Sequence, residues 1–379
     1  MWAAARPELD AAEMRGALSR GPDLALAAEL AVAQRLSPML WRAVTSVDAA
    51  PAGGDDEPAW SARLRTDAAR CRAQAVLLLP KLAGAALEPL RTAGYEAVLM
   101  KGAALATRYP GPGLRPMDDV DLLLPPEQHA GALRVLADAG WQRRTVAGRR
   151  HHEVVLTHDA VPGLPLELHR ALSTWIRRAN RLSADELWQQ RQSITVGGAP
   201  AYGFAPEDEL VTLAAHAGKP FHIFDRLIWV TDLAVVVAAA DAAGQPLDWD
   251  RIAALTARAR CGTAVGVALT LAARLGVESP RELRRLPAKG ARLAALAPLL
   301  SPDWPVTRRD EGIRNRLRYA LVDDARLRLA LLAENVVGSG PADTARKAAS
   351  TGVSLVRRWL QLRRSAQGRR EQVGKAVEP

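Results

Sequence analysis

Residues 94–205 interrupt a hydrophobic pattern that is helical over most of the rest of the chain. Before this segment, apolar residues recur at the helical spacing over 8–44 and 60–93, on either side of a loop or linker at 46–58. After about Pro206 the helical spacing returns, at 207–217, 224–240, 249–258 and 263–275. Between the helical regions, short strand-like runs alternate with helices, which is typical of an α+β fold. The sequence therefore predicts a small mixed β-sheet core flanked by N-terminal and C-terminal helical regions.

The positive charge of the chain is concentrated near its end. The protein has 51 lysines and arginines against 41 acidic residues, a net charge of +10, and +8 of this lies between Arg346 and Lys375. The rest is close to neutral, so the composition argues against a protein that coats nucleic acid. We divide the chain into an N-terminal helical region (1–93), a core (94–205), a C-terminal helical domain (206–340), and a basic amphipathic helix with its tail (341–379).

Other features exclude secreted and membrane classes. The two cysteines, Cys71 and Cys261, form no disulfide or metal-binding pattern, which suits a reducing compartment. Acidic residues near the N-terminus stand where a signal peptide needs an apolar run. The stretches free of charge and proline are too short to span a bilayer. We therefore expect a cytoplasmic protein with no transmembrane segment.

Two aspartates in the core segment suggest a metal site. Asp119 and Asp121 flank a valine at the start of a strand-like run that continues with three leucines. Alternate residues of a strand point to the same face, so the two carboxylates would lie side by side. Their repulsion favours a bound cation, and Mg²⁺ prefers oxygen ligands of this kind. Asp118 would face the other way, as a turn or capping residue.

Residues on both sides of this pair strengthen the interpretation. Upstream, Lys101, Gly102 and Ala103 open a helix directly after a strand, where backbone N–H groups and the lysine could bind phosphate. Downstream, Glu167 and His169 alternate with leucines and share one strand face. A third carboxylate on an adjacent strand would complete a site that holds two metal ions for displacement at phosphorus.

These motifs resemble the nucleotidyltransferase superfamily, and within it a bacterial group of uncharacterised nucleotidyltransferases with a KG…DxD…ExH pattern. The stretches that carry the resemblance are VLMKGAALA (98–106), YPGPGLRPMDDVDLLL (109–124), LELH (166–169) and ELVTLAAHAGKPFHIFDRLIWVTD (209–232). Many members carry aspartate where this chain has Glu167. The resemblance extends from about Leu36 to Asp232.

The resemblance implies a mechanism and assigns roles to the residues of these motifs. Asp119, Asp121 and Glu167 would be the catalytic residues and would bind two Mg²⁺ ions, with Glu167 either a metal ligand or the general base. Nucleotide-binding residues would be Lys101, Gly102, Ala103, Arg115, His169, Arg226 and Asp232. The substrate would be an NTP, with ATP expected, and pyrophosphate would be released.

The acceptor and two alternative functions stay open at this point. We expect a hydroxyl of a small molecule, such as a biosynthetic intermediate, or of a peptide. The first alternative is a toxin-like nucleotidyltransferase that acts on tRNA. The second is a non-catalytic module whose nucleotide site recruits a partner.

Three weaker signals have structural interpretations as well as functional ones. The histidines at 151, 152 and 158 lack accompanying cysteines, which favours surface or hydrogen-bonded roles over zinc binding. His216, Lys219, Arg226 and Asp232 could line a cleft or belong to an ordinary amphipathic helix. The basic segment 346–375 could contact RNA, a protein or an anionic membrane, or pack on the body of the protein.

Overall fold

The computed structural model describes residues 2–8, 10–51, 56–144, 153–172, 182–301, 304 and 311–336. The chain divides into two compact units, Met1–Asp323 and Asp324–Pro379. In the second unit the described part is helix α15 (Ala325–Val336), and the predicted basic helix and tail at 341–379 lie outside the described residues.

Three short helices and one long one precede the core. They are α1 (Ala11–Leu18), α2 (Leu24–Ala33), α3 (Ser37–Thr45) and α4 (59–92), the last with π-helical turns at Gln74–Leu78 and Ala83–Leu87. The side chains of Asp10 and Asp23 accept hydrogen bonds from backbone N–H groups and begin α1 and α2. Pro38 lies in the first turn of α3, where a missing N–H group has no cost.

A seven-stranded mixed sheet forms the centre of the first unit, and it confirms the predicted α+β class. Its strands are β1 (Val98–Met100), β2 (Val120–Leu123), β3 (Gln142–Arg143), β4 (Glu153–Thr157), β5 (Leu166–His169), β6 (Gln192–Val196) and β7 (Ala199–Gly203). Their order is β3-β4-β5-β2-β1-β7-β6. Strand β2 runs antiparallel to β1 and parallel to β5, and β1 runs parallel to β7.

The hairpin of β6 and β7 at the end of the core segment is an element that we did not predict from the sequence. Its turn contains Gly197 and Gly198, whose φ angles of +59° and +82° few other residues adopt easily. A Gly-Gly pair between two polar-apolar alternating runs is a known hairpin signal. The sequence contained this signal, and the turn between strands could have been predicted from it.

The helices within and after the core complete the first unit. They are α5 (Lys101–Ala106), α6 (His129–Asp138), α7 (Ala184–Gln189), α8 (Pro206–Ala217), α9 (Leu227–Ala242), α10 (Trp249–Ala259), α11 (Gly262–Ala272), α12 (Arg281–Arg284), α13 (Ala291–Leu300) and α14 (Glu311–Ala320). Helix α9 begins three residues later than predicted, because Ile223 and Phe224 adopt left-handed φ angles of +47° and +55°. No helix among the described residues is both long and apolar enough to cross a membrane.

The sheet separates two apolar clusters, and this positions the site. Leu122, Leu166 and Leu168 are fully buried on one face, in a cluster that includes α6 and the second half of α4. Met100 and Leu123 belong to the other cluster, with residues of α8, α9 and the N-terminal helices. Because strand side chains alternate, the polar residues between the leucines of β2 and β5 point to this second face.

Candidate active site

The paired aspartates lie at the beginning of β2, where the strand emerges from the loop before it. Asp119 directly precedes the strand and is half-buried, whereas Asp121 within it is only 1% exposed. Asp118 is exposed and forms an ion pair with Arg35, which follows α2. Asp119 and Asp121 therefore differ in burial, although Asp119 directly precedes the strand that contains Asp121.

The neighbouring strand β5 brings further ligand atoms to Asp121. In the parallel register of β2 and β5, Asp121 lies opposite Glu167. His169 Nε2 lies 2.8 Å from Asp121 Oδ1 and 3.4 Å from Glu167 Oε2, and its Nδ1 lies 3.6 Å from Glu153 Oε2. Ligand atoms of Asp121, Glu167 and His169 all lie within 4.8 Å of one another. Asp119 is not part of this compact group. It therefore lies less close to Glu167 than the sequence pattern suggested.

The charges of these residues perturb one another. Burial would raise the pKa of Asp121, but Lys101 and His169 outweigh it and lower that pKa. Burial would lower the pKa of His169, but hydrogen bonds to Asp121 and Glu167 outweigh it and raise that pKa. The pKa of Asp119 is raised, first by burial and then by the negative charges of Asp121 and Glu167. The cluster therefore contains repulsion between carboxylates that a cation would relieve.

Lys101 is held against this cluster by an unusual backbone conformation. Its φ angle of +51° is in the left-handed region, which costs a non-glycine residue free energy and is often found at functional sites. Its Nζ donates a hydrogen bond of 2.7 Å to Asp121 Oδ1. Burial would lower the pKa of Lys101, but Asp121 outweighs it and raises that pKa. In this structure the lysine thus contacts the acid predicted to bind metal.

The residues after Lys101 form the floor of a cleft. A Cβ atom on Gly102 would lie 3.2 Å from the Met117 side chain and 3.9 Å from Arg115 Nη1, so a larger residue would crowd this floor. The Ala103 side chain is fully buried in the apolar cluster behind the sheet, and only its backbone could contact a ligand.

Arg115 is fixed by a fully buried acid from the C-terminal helical region. Its Nε and Nη2 donate to Asp232 Oδ1 and Oδ2, at 2.7 and 2.9 Å, and the Tyr109 hydroxyl donates to the same carboxylate at 2.8 Å. The loop before Arg115 packs closely on α4: a Cβ on Gly113 would lie 2.4 Å from the Cα of Arg72, so only glycine fits. Asp232, predicted to bind nucleotide, therefore acts on Arg115 in this structure.

These groups line one cleft of about 230 Å³ in the first unit. Its lining residues are Arg35, Lys101, Gly102, Arg115, Pro116, Met117, Asp118, Asp119, Leu213, His216, His222, Arg226, Ile228, Trp229 and Asp232. The structure thus brings Lys101, Gly102, Arg115, Arg226 and Asp232 to the same cleft as Asp119. Glu167 and His169 lie beside it, next to Asp121.

Several residues of the cleft were not predicted from the sequence. Arg35 follows the end of α2 and carries no local signal, and His222 and Trp229 lie in a region that an amphipathic helix explains equally well. Lys219, which we predicted as a possible cleft residue together with His216, Arg226 and Asp232, is not among the residues that line the cleft, whereas the other three are. It is half-buried close to Lys101, and burial together with the charge of Lys101 lowers its pKa to about 8. The histidines at 151 and 152 lie outside the described residues.

A buried ion pair behind the cleft gives a first testable prediction. Glu209 on α8 contacts Arg108 at 2.7 Å, and burial raises its pKa to about 7 in spite of the arginine. Because this value exceeds the usual 4.5, the stability associated with Glu209 is present below pH 4.5 and is lost as the pH rises through 7. The quantity to compare is the decrease in the free energy of unfolding between pH 5 and pH 8. We expect this decrease to be larger in the native protein than in Glu209→Gln, by roughly 2 kcal/mol.

Urea denaturation of both proteins at the two pH values measures this difference. Equal pH dependence of the two proteins would mean that Glu209 titrates normally. Asp208→Asn is the comparison variant, because Asp208 is also on α8 and pairs with the partly exposed Arg251. Burial raises the pKa of Asp208 as well, but from a lower usual value of 3.8, so this variant should change the pH dependence between pH 5 and 8 less than Glu209→Gln does.

One family model matches the part of the chain that contains the sheet and the cleft. The model described as uncharacterised nucleotidyltransferase matches residues 21–276, about two thirds of the chain. This match covers all residues that line the cleft and includes parts of both helical regions that flank the sheet. No curated protein sequence matches the chain significantly.

Solved structures with similarity to this chain include two of an antibiotic-resistance factor and one fungal protein. The solution structure of ANT(2'')-Ia is 16% identical, with 48% of this chain and 90% of that chain covered and a TM-score of 0.33. The crystal structure of ANT(2'')-Ia in complex with adenylyl-2''-tobramycin is 15% identical, with 48% and 96% covered and a TM-score of 0.32. An antigenic nucleotidyltransferase-like protein from Paracoccidioides brasiliensis is 17% identical, with 53% and 93% covered and a TM-score of 0.35. Similarities this low carry no inference about substrates.

Proposed function

The chain belongs to the family of uncharacterised nucleotidyltransferases, and from this premise we propose that it transfers a nucleoside monophosphate from an NTP to a hydroxyl acceptor. ATP is the expected donor, a small molecule or peptide carries the hydroxyl, and pyrophosphate leaves. The observation that carries the proposal is the cluster of Asp121, Glu167 and His169, which lies beside a cleft lined by Asp119 and by cationic side chains.

The acidic cluster fits a divalent cation. Two carboxylates and an imidazole with ligand atoms within 4.8 Å of one another form a donor set suited to a metal, and the carboxylate oxygens suit Mg²⁺. The raised pKa of Asp119 reflects burial and repulsion that such a charge would offset. Asp119, Asp121 and Glu167 would hold two Mg²⁺ ions. Bound Mg²⁺ would neutralise the triphosphate and favour ionisation of the acceptor hydroxyl.

Lys101 and Arg115 would bind the triphosphate from the floor of the cleft. Arg115 is preorganised by its two hydrogen bonds to Asp232, so it can meet phosphate oxygens without losing side-chain freedom. The Lys101 ammonium group would interact with both the Asp121 carboxylate and the phosphates. Both cations would stabilise the negative charge that develops on the leaving pyrophosphate. Arg226, exposed at the rim, would make a further contact with the nucleotide.

His169 and Glu167 would act on the acceptor side. His169 contacts three acids, Asp121, Glu153 and Glu167, and so holds their carboxylates in place. Glu167 is half-buried, and its carboxylate could receive the proton of the acceptor hydroxyl as a general base.

A turnover assay tests the proposal. The protein is incubated with Mg²⁺ and each of the four labelled NTPs, together with small-molecule and peptide acceptors that carry hydroxyl groups. We expect pyrophosphate and a labelled product with at least one NTP, and loss of both when EDTA removes the metal. If neither pyrophosphate nor Mg²⁺-dependent nucleotide binding is found with any NTP, the proposal is wrong.

A further inference from the structure

The cleft has two chemically different sides. The floor carries Lys101, Arg115 and Asp119, which suit a phosphate chain and its metal. The opposite wall is formed by α8, the 218–226 loop and the start of α9, and it presents His216, His222 and Trp229. The proposed reaction accounts for the floor, whereas nothing in it uses the three rings of the wall.

The three rings form one contiguous cluster, in which the His216 ring is tilted by 53° to His222 and stands nearly perpendicular, at 82°, to Trp229. His222 stacks on Trp229, with ring centres 4.6 Å apart and an angle of 29° between the planes. His216 contacts both, at 4.4 Å from the centre of His222 and 5.8 Å from that of Trp229. Each of the three residues is only half-buried, so part of each ring faces the cleft. Leu213 and Ile228 extend this wall with apolar surface.

The histidines of the wall are suited to a neutral ring rather than to an anion. Burial and then the charge of Lys219 lower the pKa of His216 well below its usual range and that of His222 to about 4. Both imidazoles are therefore uncharged at neutral pH. The wall adds surface for stacking without adding positive charge.

One polar atom of the wall lacks a protein partner. His216 Nδ1 is buried and makes no hydrogen bond to any part of the chain that the structure describes. A buried polar atom without a partner is costly, and its presence in the wall of a cleft suggests that a ligand completes it. A neutral imidazole nitrogen can donate or accept, so it can pair with the edge of a heteroaromatic ring.

We propose that the His216–His222–Trp229 wall binds the nucleobase of the donor nucleotide, with stacking on the His222–Trp229 pair and a hydrogen bond from His216 Nδ1 to the edge of the base. A nucleotide has the same two sides as the cleft, a charged phosphate chain and a flat base. This inference rests on the proposed function, because it assigns the base end of the same nucleotide whose phosphates lie on the floor.

The contribution of the wall to binding can be distinguished from that of the floor by comparing the affinities for ATP and for inorganic tripolyphosphate, each with Mg²⁺. We expect the native protein to bind ATP at least tenfold more tightly than tripolyphosphate, because stacking adds affinity that the phosphates alone lack. In Trp229→Leu and in His216→Leu this ratio should fall below threefold, with tripolyphosphate binding unchanged. His216→Leu should also reduce any preference of the protein among ATP, GTP, CTP and UTP, because the hydrogen bond is specific for the base edge.

Trp188→Leu is the matched control for loss of a half-buried tryptophan. Trp188 packs on Arg191 and donates to the Glu96 carbonyl, outside the lining of the cleft, so its removal should preserve the ratio. Circular dichroism identifies variants that fold, and His216→Leu replaces Trp229→Leu if the latter does not.

The possible failures are distinguishable. If tripolyphosphate binds as tightly as ATP to the native protein, or if both folded wall variants keep the native ratio, the nucleobase assignment is wrong while the phosphate site stands. Equally tight binding of tripolyphosphate and ATP would also be expected if the wall bound a ring of the acceptor. If neither compound binds in the presence of Mg²⁺, the proposed function itself fails.

Discussion

Asp119→Asn is expected to lower nucleotidyl transfer by about a thousandfold or more while leaving the folded protein as stable as the native one, or slightly more stable. The loss follows from removing a carboxylate that would hold metal at the reacting phosphate. The preserved stability follows from the raised pKa of Asp119, since burial and repulsion by Asp121 and Glu167 oppose its charge. Pyrophosphate release and thermal unfolding without Mg²⁺ at pH 7.5 measure the two effects.

Asp118→Asn is the matched control for this variant. The neighbouring acid is exposed and pairs with Arg35, so we expect transfer within about tenfold of the native rate. Asp119→Asn with native turnover would refute the assignment of the metal site. Asp121→Asn is a poorer probe than the sequence suggested, because it would leave Lys101 and His169 without their shared partner and destabilise the fold as well.

Asp232→Ala should have the largest effect on stability. This carboxylate is 0% exposed and accepts from both Arg115 and Tyr109, so its removal leaves the guanidinium without its charged partner and the buried hydroxyl without its acceptor. Breaking one partner of a buried ion pair costs about 3 kcal/mol or more, which in a folded unit of this size corresponds to a decrease in Tm on the order of 5 °C. Differential scanning calorimetry measures the decrease.

The same variant should weaken nucleotide binding, because Arg115 would lose its fixed orientation. Asp208→Asn provides the comparison: it removes a buried acid paired with Arg251, outside the cleft lining, and should lower Tm less without changing nucleotide affinity. If Asp232→Ala keeps both the native Tm and the native affinity, then the Arg115–Asp232 pair does not organise the cleft.

The positions of the acids on one strand face could be predicted from the alternation of apolar and polar residues. This pattern depends only on residues that are close together in the sequence. Leu122, Leu166 and Leu168 are buried on one face, and Asp121, Glu167 and His169 lie on the other. The alternation also predicts that Asp119 faces the same way, although it precedes the strand and is outside the compact ligand group. Local patterns could therefore identify the acids, but not their separations.

Contacts between distant segments could not be predicted in this way. Arg115 and Asp232 are 117 positions apart, and Lys101 and Asp121 meet only because β1 and β2 pair with Met100 opposite Asp121. Arg35 reaches the cleft from a third region of the chain, through a turn with a left-handed φ of +62°. These positions depend on how the helical regions pack on the sheet, which short-range periodicity does not determine.

We expect the acids of β2 and β5, with Asp119, to bind divalent metal, and this metal to bring the nucleotide into the cleft. Calorimetric titration with ATP, with Mg²⁺ or with EDTA, tests this claim without knowledge of the acceptor. The account predicts saturable ATP binding with Mg²⁺, at least tenfold weaker binding with EDTA, and loss of the Mg²⁺ effect in Asp119→Asn. Equal ATP affinity with and without Mg²⁺, or an undiminished Mg²⁺ effect in Asp119→Asn, would contradict it.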